Sequence, residues 1–434
     1  MTSVAKPTTL DDPYVVVHLV SEETTKDLIG PQVVDHMEWQ RVAEGEHRPA
    51  SVTVLLLEAA RNALRPEIRR RVELLRTRAP ELPIALQPYI GRLGMRRNAA
   101  WLRRRVERWV RSRHVVFHCR GESAAEWGLE LRRSFPDAGV VADIRGAAPE
   151  ELLHQRGFDG PDSADAATRA AYRLKVEGTG RVLRNAGAIL TVSPGMMTWL
   201  EEMGVDPQRL HYVPCCVTGV TYNPAVRAHA RQAMGLEDRF VVAYLGTLTR
   251  YQHVSDGVLP FFQALWSASP RAHLLCITPQ VEEMRSLLGT CGLDQQQASV
   301  VSAAQSDVAA LLMGADAGLI LRAPSRMNEL SQPTKLGEYL AAGVPVIVSR
   351  GTGRVDQLVE SAGAGVGVRA FGVPARELRQ EAERAAAILS ARADDFRRHA
   401  VELAAREFLW SSYTDRVRCA YLQALSAKTS ARTN

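Results

Sequence analysis

The chain has 434 residues, of which 46% are hydrophobic and 24% are charged. This length exceeds what one hydrophobic core usually supports, so it indicates two domains of roughly 200 residues each, and the ordinary composition excludes a mostly disordered chain. No run of about 18 to 20 apolar residues indicates a membrane span.

The N-terminal sequence MTSVAKPTTLDDPY lacks the basic and then apolar pattern of a secretion signal, so we expect a cytoplasmic protein. The cysteines form no CxxC pair and show no histidine spacing typical of a zinc site, which favours reduced, mostly buried thiols. They are Cys119, Cys215, Cys216, Cys276, Cys291 and Cys419.

The first half alternates short β-branched runs with helical patterns, which is typical of a parallel sheet flanked by helices. The predicted strands are 14–20, 51–58, 82–89, 114–120, 139–145, 188–193 and 210–217. Helices are predicted between them, for example at 66–78 and 124–135.

Positive charge is concentrated in the segment 61–113, which holds sixteen arginines and four glutamates. This segment carries a charge of +12, whereas the whole chain has a net charge of +6, so the remaining residues are negative overall. Its densest part, 96–113, is predicted to be helical, with apolar residues at helical spacing among the arginines. These are Trp101, Leu102, Val106, Trp109 and Val110. A solvated helix with one core-facing stripe, a membrane-surface helix and a nucleic-acid-binding helix are alternative interpretations.

A turn-rich passage after Thr218 precedes a second series of strands, so we place a domain boundary there. The predicted strands are 240–246, 272–278, 298–303, 317–322, 344–349 and 363–368. The tail from Pro374 is almost wholly helical in pattern. We predict two doubly wound, Rossmann-like α/β domains at 1–218 and 219–400, followed by a terminal helix and tail at 401–434. Ligands in such sheets bind at the carboxyl ends of strands.

The passage LRAPSRMNELSQPTKLGEYLAAGVPVIVS combines a strand end, a polar loop and a helix predicted to start at Pro333. At that start the amides of Thr334 and Lys335 are unpaired, and with the helix dipole they suit a diphosphate. One turn further on, Glu338 can accept hydrogen bonds from ribose hydroxyls. Gly343 then ends the helix. The alternative interpretation is a capped helix with a solvated glutamate.

These residues resemble the donor-site signature of the retaining glycosyltransferases of the GT-B fold, specifically glycosyltransferase family 4, in which a glutamate is followed five residues later by glycine and then by a Pro-Val strand start. Further similar stretches are YLGTLTRYQH (244–253), VVADIRG with AAPEEL (140–152), AGAILTVSPGMMTWLEEMG and FLWSSYTDRV. The resemblance implies two domains facing a central cleft, with a C-terminal helix crossing back to the first. It also implies transfer of a hexosyl group from a nucleotide diphosphate to an acceptor hydroxyl with retention of anomeric configuration.

Three positions depart from the commonest pattern of that family. Its first glutamate corresponds to Leu330, and its Arg and Lys after the glycine turn correspond to Thr247 and Gln252, with Arg250 between them. A bacterial surface-polysaccharide subgroup, with an aromatic-Gln pair and a PTK helix start, is more similar. The resemblance therefore implies that Arg250 and Lys335 neutralise the diphosphate. The donor-binding candidates are Gly246, Thr247, Gln252, Asn328, Ser331, Pro333, Thr334 and Tyr339.

His118 ends a predicted strand of the first half, at the edge where a ligand would bind. A structural histidine is the alternative, but the family analogy implies that His118 contacts the transferred sugar and joins Arg250, Lys335 and Glu338 as a catalytic residue. The acceptor-side candidates are Gly30, Arg120, Arg145 and Glu150. Of these, Gly30 lies after the first strand, roughly where the family has a glycine loop.

The sequence contains no convincing pair of carboxylates for a glycosidase and no DxD-like cluster for a metal. We therefore expect a metal-independent reaction, with a nucleotide sugar as donor and no cofactor. The expected partner is an acceptor glycan, with a lipid-linked acceptor and contact between 61–113 and an anionic membrane as a hypothesis; no nucleic acid is expected. Alternative functions are a noncatalytic scaffold for an anionic partner and a nucleotide-sugar epimerase or phosphorylase of the same fold.

Overall fold

A computed structural model describes residues 13–24, 26, 28–110 and 113–427. These residues divide into two compact units. The first unit contains the described residues up to Leu153, Gly160–Thr218 and the residues from Trp410 onward, and the second contains His154–Asp159 and Gly219–Leu409.

Thirteen strands lie in the described part of the chain, one at each position predicted from the sequence. They are β1 (Tyr14–Ser21), β2 (Ser51–Ala59), β3 (Ile84–Tyr89), β4 (His114–Arg120), β5 (Gly139–Ile144), β6 (Ala188–Thr191), β7 (Leu210–Tyr212), β8 (Phe240–Leu245), β9 (Ala272–Ile277), β10 (Ala298–Val301), β11 (Ala317–Ile320), β12 (Val346–Ser349) and β13 (Gly365–Val368).

The α-helices are α1 (Asp35–Val42), α2 (Ala60–Ala63), α3 (Pro66–Arg78), α4 (Gly94–Val110), α5 (Gly121–Arg132), α6 (Ala148–Gln155), α7 (Ala166–Asn185), α8 (Pro194–Glu202), α9 (Pro224–Met234), α10 (Leu259–Ala268), α11 (Val281–Thr290), α12 (Gln305–Met313), α13 (Arg326–Leu330), α14 (Lys335–Ala341), α15 (Val355–Ser361), α16 (Ala375–Ala391), α17 (Ala393–Glu407) and α18 (Thr414–Ser426). Short 3₁₀ or π-helical turns lie at Gly30–Val34, Gly91–Leu93, Pro207–Arg209, Arg250–Gln252, Val254–Val258 and Trp410–Tyr413.

Each unit is built on a parallel sheet. The first unit has seven strands in the order β3-β2-β1-β4-β5-β6-β7, and the second has six in the order β10-β9-β8-β11-β12-β13. The central strands are buried over nearly their whole length, as expected where helices cover both faces of a parallel sheet. The predicted fold class, two doubly wound α/β domains, is confirmed.

The core of the first unit includes the terminal helix α18, which packs against β5 and β6. Val417, Ala420 and Tyr421 of this helix are fully buried in the same cluster as the valines of β1 and β2. Tyr421 also lies edge-on to Tyr14, with ring centroids 6.1 Å apart. The chain from Trp410 onward is therefore part of the first unit's core.

Two boundaries differ from the prediction. The terminal segment was expected to begin at 401, but α17 continues to Glu407 with Leu403 buried, so 401–409 belongs to the second unit. The seventh strand was expected to extend to 217 but ends at Tyr212, because Pro214 has no amide hydrogen for the ladder.

The basic segment contributes α3 and α4. Leu102, Val106 and Val110 form the buried stripe of α4, as predicted, whereas Trp101 is 54% exposed. The guanidinium of Arg105 lies 5.6 Å from the ring centroid of Trp109, which is half-buried. The predicted helix residues 111 and 112 lie outside the described residues.

All six cysteines are free, and four of them are buried. Over the ranges that the structure describes, no helix has both the length and the apolar character needed to cross a membrane.

Candidate functional site

The turn after β8 brings a glycine close to a buried lysine. Gly246 has a φ of +135°, a conformation that favours glycine, and its amide donates to the carbonyl of Ile277 at 3.0 Å. A Cβ atom at this position would lie 3.3 Å from the Nζ atom of Lys335. Tyr244 stabilises the turn, because its hydroxyl donates a hydrogen bond to the carbonyl of Thr247 at 2.6 Å.

Lys335 is 5% exposed, and its ammonium has two nearby partners. Its Nζ atom donates to Oε1 of Gln252 at 2.8 Å and lies 4.4 Å from the ring centroid of Tyr244. Burial, aided by the charge of Arg322, holds the pKa of Lys335 well below its usual value, while Glu338 opposes this shift. A buried cation with so few acceptors is suited to receive an anionic ligand.

Glu338 lies one helical turn after Lys335 and is half-buried. Burial raises the pKa of its carboxyl to about 7, and Lys335 acts in the opposite direction. None of the described residues makes a hydrogen bond to this carboxylate. Its oxygens therefore remain open to a donor from a ligand.

The helix start differs slightly from the prediction. Helix α14 begins at Lys335, two residues after Pro333, and Thr334 precedes it as an N-cap residue without a side-chain hydrogen bond. The amide of Leu336 donates to the carbonyl of Pro333 at 3.1 Å. Pro333 is buried and Thr334 is half-buried, so the main chain here is accessible chiefly at Thr334.

The loop before α14 carries a polar cluster. Asn328 is fully buried, and its Nδ2 donates to the carbonyl of Ala323 at 2.8 Å, but its Oδ1 has no partner within the described residues. Ser331 accepts a hydrogen bond from Nη1 of Arg322 at 3.1 Å. Leu330, at the position of the family's first glutamate, is buried.

Sequence reasoning missed Arg322. It follows β11, is 6% exposed, and places its guanidinium 5.6 Å from the ring centroid of Tyr251. The available signal was a charged residue ending the apolar run AGLILR, because a charge at the carboxyl end of a parallel strand lies where ligands bind.

Tyr339 has a structural role rather than the predicted contact with the donor. It is fully buried, and its hydroxyl donates to the carbonyl of Ala243 at 3.1 Å and accepts the amide of Leu245 at 2.9 Å. Both bonds fix the end of β8, so this side chain has no surface left for a ligand.

Arg250 is exposed and lines a cavity of about 400 Å³ within the second unit. Its Nη1 lies 2.9 Å from where a Cβ atom would stand at Gly157, so that glycine gives the guanidinium room. Neither Lys335 nor Glu338 lines this cavity. The second unit thus holds Gly246, Gln252, Lys335 and Glu338 around one strand end, with Arg250 at a neighbouring cavity.

In the first unit, His118 is fully buried, which is inconsistent with its predicted contact with a sugar. Its Nδ1 lies 2.8 Å from the hydroxyl of Tyr421, and its ring stacks on that of His18 with centroids 4.2 Å apart. Burial lowers its pKa, and Asp143 opposes the shift. We therefore correct the assignment: His118 is a core residue that connects β4 to α18.

The acceptor-side candidates lie in different surroundings. Arg120 donates from Nε to Oε2 of Glu23 at 3.1 Å, and Glu150 accepts from the hydroxyl of Tyr172 at 3.0 Å. Gly30 is buried in the first turn of the helical segment Gly30–Val34 rather than in a glycine loop. Arg145 is the fourth candidate.

The guanidinium of Arg145 has its Nε 2.6 Å from Oδ1 of Asp143, a fully buried carboxylate that sequence reasoning missed. Nη1 of Arg145 donates to the carbonyls of Val213 and Pro214, both at 3.3 Å. Burial alone would raise the pKa of Asp143, but Arg145 and then His118 outweigh it and hold that pKa well below its usual range.

His18, His118 and Asp143 form the one group of potential metal ligands found within the described ranges, with ligand atoms within 4.8 Å of one another. Arg145 already pairs with the Asp143 carboxylate and places a positive charge beside the group. A divalent cation would add charge of the same sign inside a buried site, which is unfavourable. The donor set therefore fits a buried ion pair better than a metal.

Comparisons with known proteins agree with this architecture. Residues 37–216 match the family model described as a glycosyl transferase 4-like domain. Anabaena HepE in complex with UDP is similar in structure, with a TM-score of 0.67 and 13% identity over 93% of this chain and 98% of that one. No curated protein matches the chain by sequence.

Two further solved structures are similar. Sucrose-phosphate synthase from Thermosynechococcus elongatus has a TM-score of 0.65 and 14% identity over 93% of this chain and 97% of that one. WaaG, a glycosyltransferase involved in lipopolysaccharide biosynthesis, has a TM-score of 0.60 and 16% identity over 93% of this chain and 98% of that one. At these identities the likeness establishes the fold: two Rossmann-like domains, as in GT-B glycosyltransferases.

Proposed function

We propose that this chain is a glycosyltransferase that moves a sugar from a nucleotide diphosphate to an acceptor hydroxyl. The observation that carries the proposal is the pair formed by Lys335 and Glu338, a buried ammonium and an unpaired carboxylate one helical turn apart at the carboxyl end of the second sheet. The match of residues 37–216 to a glycosyl transferase 4-like domain supports the same activity.

In the proposed complex, Lys335 and Arg250 neutralise the diphosphate and Glu338 accepts hydrogen bonds from the ribose. Negative charge develops on the diphosphate as its bond to the sugar breaks, and cations fixed beforehand stabilise that state more than the ground state. The small Gly246 turn lets the phosphates approach the ammonium of Lys335. Because HepE was solved with UDP and with UDP-glucose, uridine nucleotides are the first donors to test.

We further propose that the reaction is metal-independent and retains the anomeric configuration of a hexosyl donor. The leaving diphosphate then depends on Lys335, Arg250 and main-chain amides for its stabilisation, rather than on a bound cation. Arg120, Arg145 and Glu150 of the first unit remain the proposed acceptor-side residues, through the parts of their side chains that reach solvent.

For the acceptor we propose a glycan carried on a lipid, with α3 and α4 contacting the anionic membrane surface. The support is the +12 charge of 61–113 together with exposed apolar side chains on the same segment. These are Leu64, Leu74, Ile90, Leu93 and Trp101. Arginines attract anionic headgroups, and exposed apolar side chains can enter the interface.

The test is the affinity of Glu338→Ala for nucleoside diphosphates, measured by calorimetry. Loss of the carboxylate should weaken binding by about 1–3 kcal/mol, because ribose hydroxyls lose their acceptor. Glu237→Ala, a change at an exposed glutamate of the second unit, is the matched control and should bind like the wild type. Unchanged affinity in Glu338→Ala would remove this residue from the site.

A further inference from the structure

The cavity that Arg250 lines has a second feature that the donor residues do not explain. It is lined by residues 154, 157–159, 248–250, 253–256 and 323–325 together with Leu287, all in the second unit. Its volume of about 400 Å³ is large enough for a polar ligand group. Two histidines, His154 and His253, contribute to its wall.

His253 adopts a conformation that few side chains tolerate. Its φ is +49° in the left-handed region, although it is not glycine, and its side chain is 9% exposed. Such a conformation costs of order 1–3 kcal/mol and concentrates at ligand-binding sites. The turn Arg250–Gln252 and the next turn, Val254–Val258, meet at this residue.

A carboxylate orients the imidazole of His253 through one ring nitrogen, and the other ring nitrogen has no hydrogen-bond partner among the described residues. Nδ1 lies 2.9 Å from Oδ2 of Asp256, which places a proton on Nδ1. Nε2 is buried and has no hydrogen-bond partner among the residues that the structure describes. A buried polar atom without a partner is costly, so a ligand that supplies one gains binding free energy.

Basic and acidic side chains both lie near this nitrogen. The ring centroids of His154 and His253 are 6.1 Å apart. The pKa of His154 is lowered, chiefly by burial and to a smaller extent by Arg250 and His253. Asp159 and Asp256 are the carboxylates near these groups, and Asp256 is already engaged with His253. The ring of Phe371 also packs on that of His253, with centroids 5.3 Å apart, and the lining residues 323–325 carry no charge.

We infer that this cavity binds a phosphoryl group, with the imidazolium of His253 donating from Nε2 and Arg250 as the second cation. The inference rests on the proposed function, in which Arg250 binds the diphosphate, and it adds the His253–Asp256 pair as the group that recognises a phosphoryl oxygen. The neutral imidazole presents a lone pair at Nε2 and cannot donate to that oxygen, so recognition requires protonated His253.

The experiment measures the dissociation constants of UDP, GDP, ADP and inorganic phosphate, with uridine as the ligand without phosphate. His253→Asn removes the imidazole and keeps a residue that tolerates the left-handed conformation. His229→Asn, at an exposed histidine of α9, is the matched control. Dividing each variant's constant by the wild-type constant at the same pH cancels the titration of the ligand itself.

We expect His253→Asn to weaken diphosphate binding roughly tenfold or more at low pH and by less at high pH, because only the protonated imidazole can donate from Nε2. The wild type and His253→Asn should bind uridine with equal affinity, because uridine carries no phosphate. His253→Gly also suits the backbone, and adding imidazole should restore part of the lost affinity, which a purely structural role for His253 would not allow.

Equal affinities of wild type and His253→Asn for a diphosphate at low pH would overturn the inference and leave the proposed function intact. Failure of the wild type to bind any of the diphosphates would overturn both. Inorganic phosphate bound in a His253-dependent manner, with diphosphates bound independently of His253, would support the cavity as a phosphate site and contradict its place in donor binding.

Discussion

Lys335 and Glu338 are opposite charges whose pKa values both shift toward the neutral forms. Burial lowers the pKa of the lysine and raises that of the glutamate, and each residue counteracts the shift of the other. A pair in this state is stabilised poorly by its own contacts, since Glu338 receives no hydrogen bond from the described residues. A bound nucleotide diphosphate would supply both missing partners, an anion for Lys335 and donors for Glu338.

The raised pKa of Glu338 predicts a pH dependence of stability. Its value of about 7 in the folded state exceeds the ordinary value of 4.5, so between these pH values the folded state binds more protons than the unfolded state. The free energy of unfolding should therefore fall as the pH rises through this window. Glu338→Gln does not titrate and should lack this contribution.

Urea unfolding of both proteins at about pH 5 and about pH 8 measures the effect. We expect the wild type to lose stability relative to Glu338→Gln at the higher pH. A parallel pH dependence in the two proteins would mean that Glu338 titrates alike in the folded and unfolded states, and so would contradict the burial argument.

Several roles of single residues could not be read from the sequence. The motif predicted that Lys335 and Glu338 share one helix, but the surroundings of Lys335 include Gln252 and Tyr244, which lie more than 80 positions earlier in the chain. His118 was expected at a ligand-binding edge because it lies late in its strand. Tyr421 covers it from α18, a contact across 303 positions that no local pattern reveals.

The terminal helix α18 packs so closely on the first sheet that it requires small residues there. A Cβ atom added at Gly187 would lie 2.6 Å from Cα of Ala424 and 3.0 Å from its carbonyl oxygen, so the backbone of α18 would have to move. Gly187→Ala should therefore reduce the free energy of unfolding by about 1–3 kcal/mol.

Gly219→Ala is the control, because no heavy atom lies within 4 Å of the added Cβ atom. Urea unfolding should show it close to the wild type. If Gly187→Ala were as stable as the control, the close packing of α18 on this sheet would be wrong.

The elements themselves were well predicted. All thirteen strands were recognised from apolar runs bounded by turn residues, because buried parallel strands carry that signal along their length. The ends were less well predicted: β3 begins at Ile84 rather than at 82, and β12 begins at Val346 rather than at 344. Strand ends depend on pairing with neighbours, which the sequence of one strand does not contain.

The exposed arginines of α4 and of the turn before it, Gly91–Leu93, predict salt-sensitive binding to anionic vesicles. Arg105 donates to the carbonyl of Leu86 at 3.1 Å and to Gln87 at 2.9 Å, so it should be left in place. Changing Arg92, Arg97 and Arg104 to glutamine should reduce cosedimentation with anionic vesicles, since each cation near the surface contributes about 1 kcal/mol. The effect should diminish as salt is raised, because charges are screened within about 8–10 Å at physiological ionic strength.

Changing Arg285, Arg376 and Arg406 to glutamine removes the same charge from exposed positions of the second unit and is the matched control. The control should sediment like the wild type. If wild-type protein ignores anionic vesicles at low salt, α4 is better explained as a solvated helix.

Considered as a whole, the molecule carries its candidate residues on two separate sheets. Gly246, Lys335 and Glu338 belong to the second unit, whereas Arg120 and Arg145 belong to the first. We propose that the second unit binds the nucleotide and that the first serves the acceptor. The fold alone does not set the chemistry, and the Leu330 side chain in place of a glutamate leaves a noncatalytic scaffold as the rival account.

Incubating the wild type with a panel of nucleotide sugars, with and without lipid-linked and soluble glycan acceptors, tests the central claim most directly. Released nucleoside diphosphate and glycoside products are measured, the products by NMR, with Lys335→Ala as the impaired variant. We predict release of nucleoside diphosphate and a new glycoside with the donor's anomeric configuration, both strongly reduced in Lys335→Ala. Diphosphate binding without release from any donor, or conversion of the donor to an epimer without a new glycoside, would contradict the account.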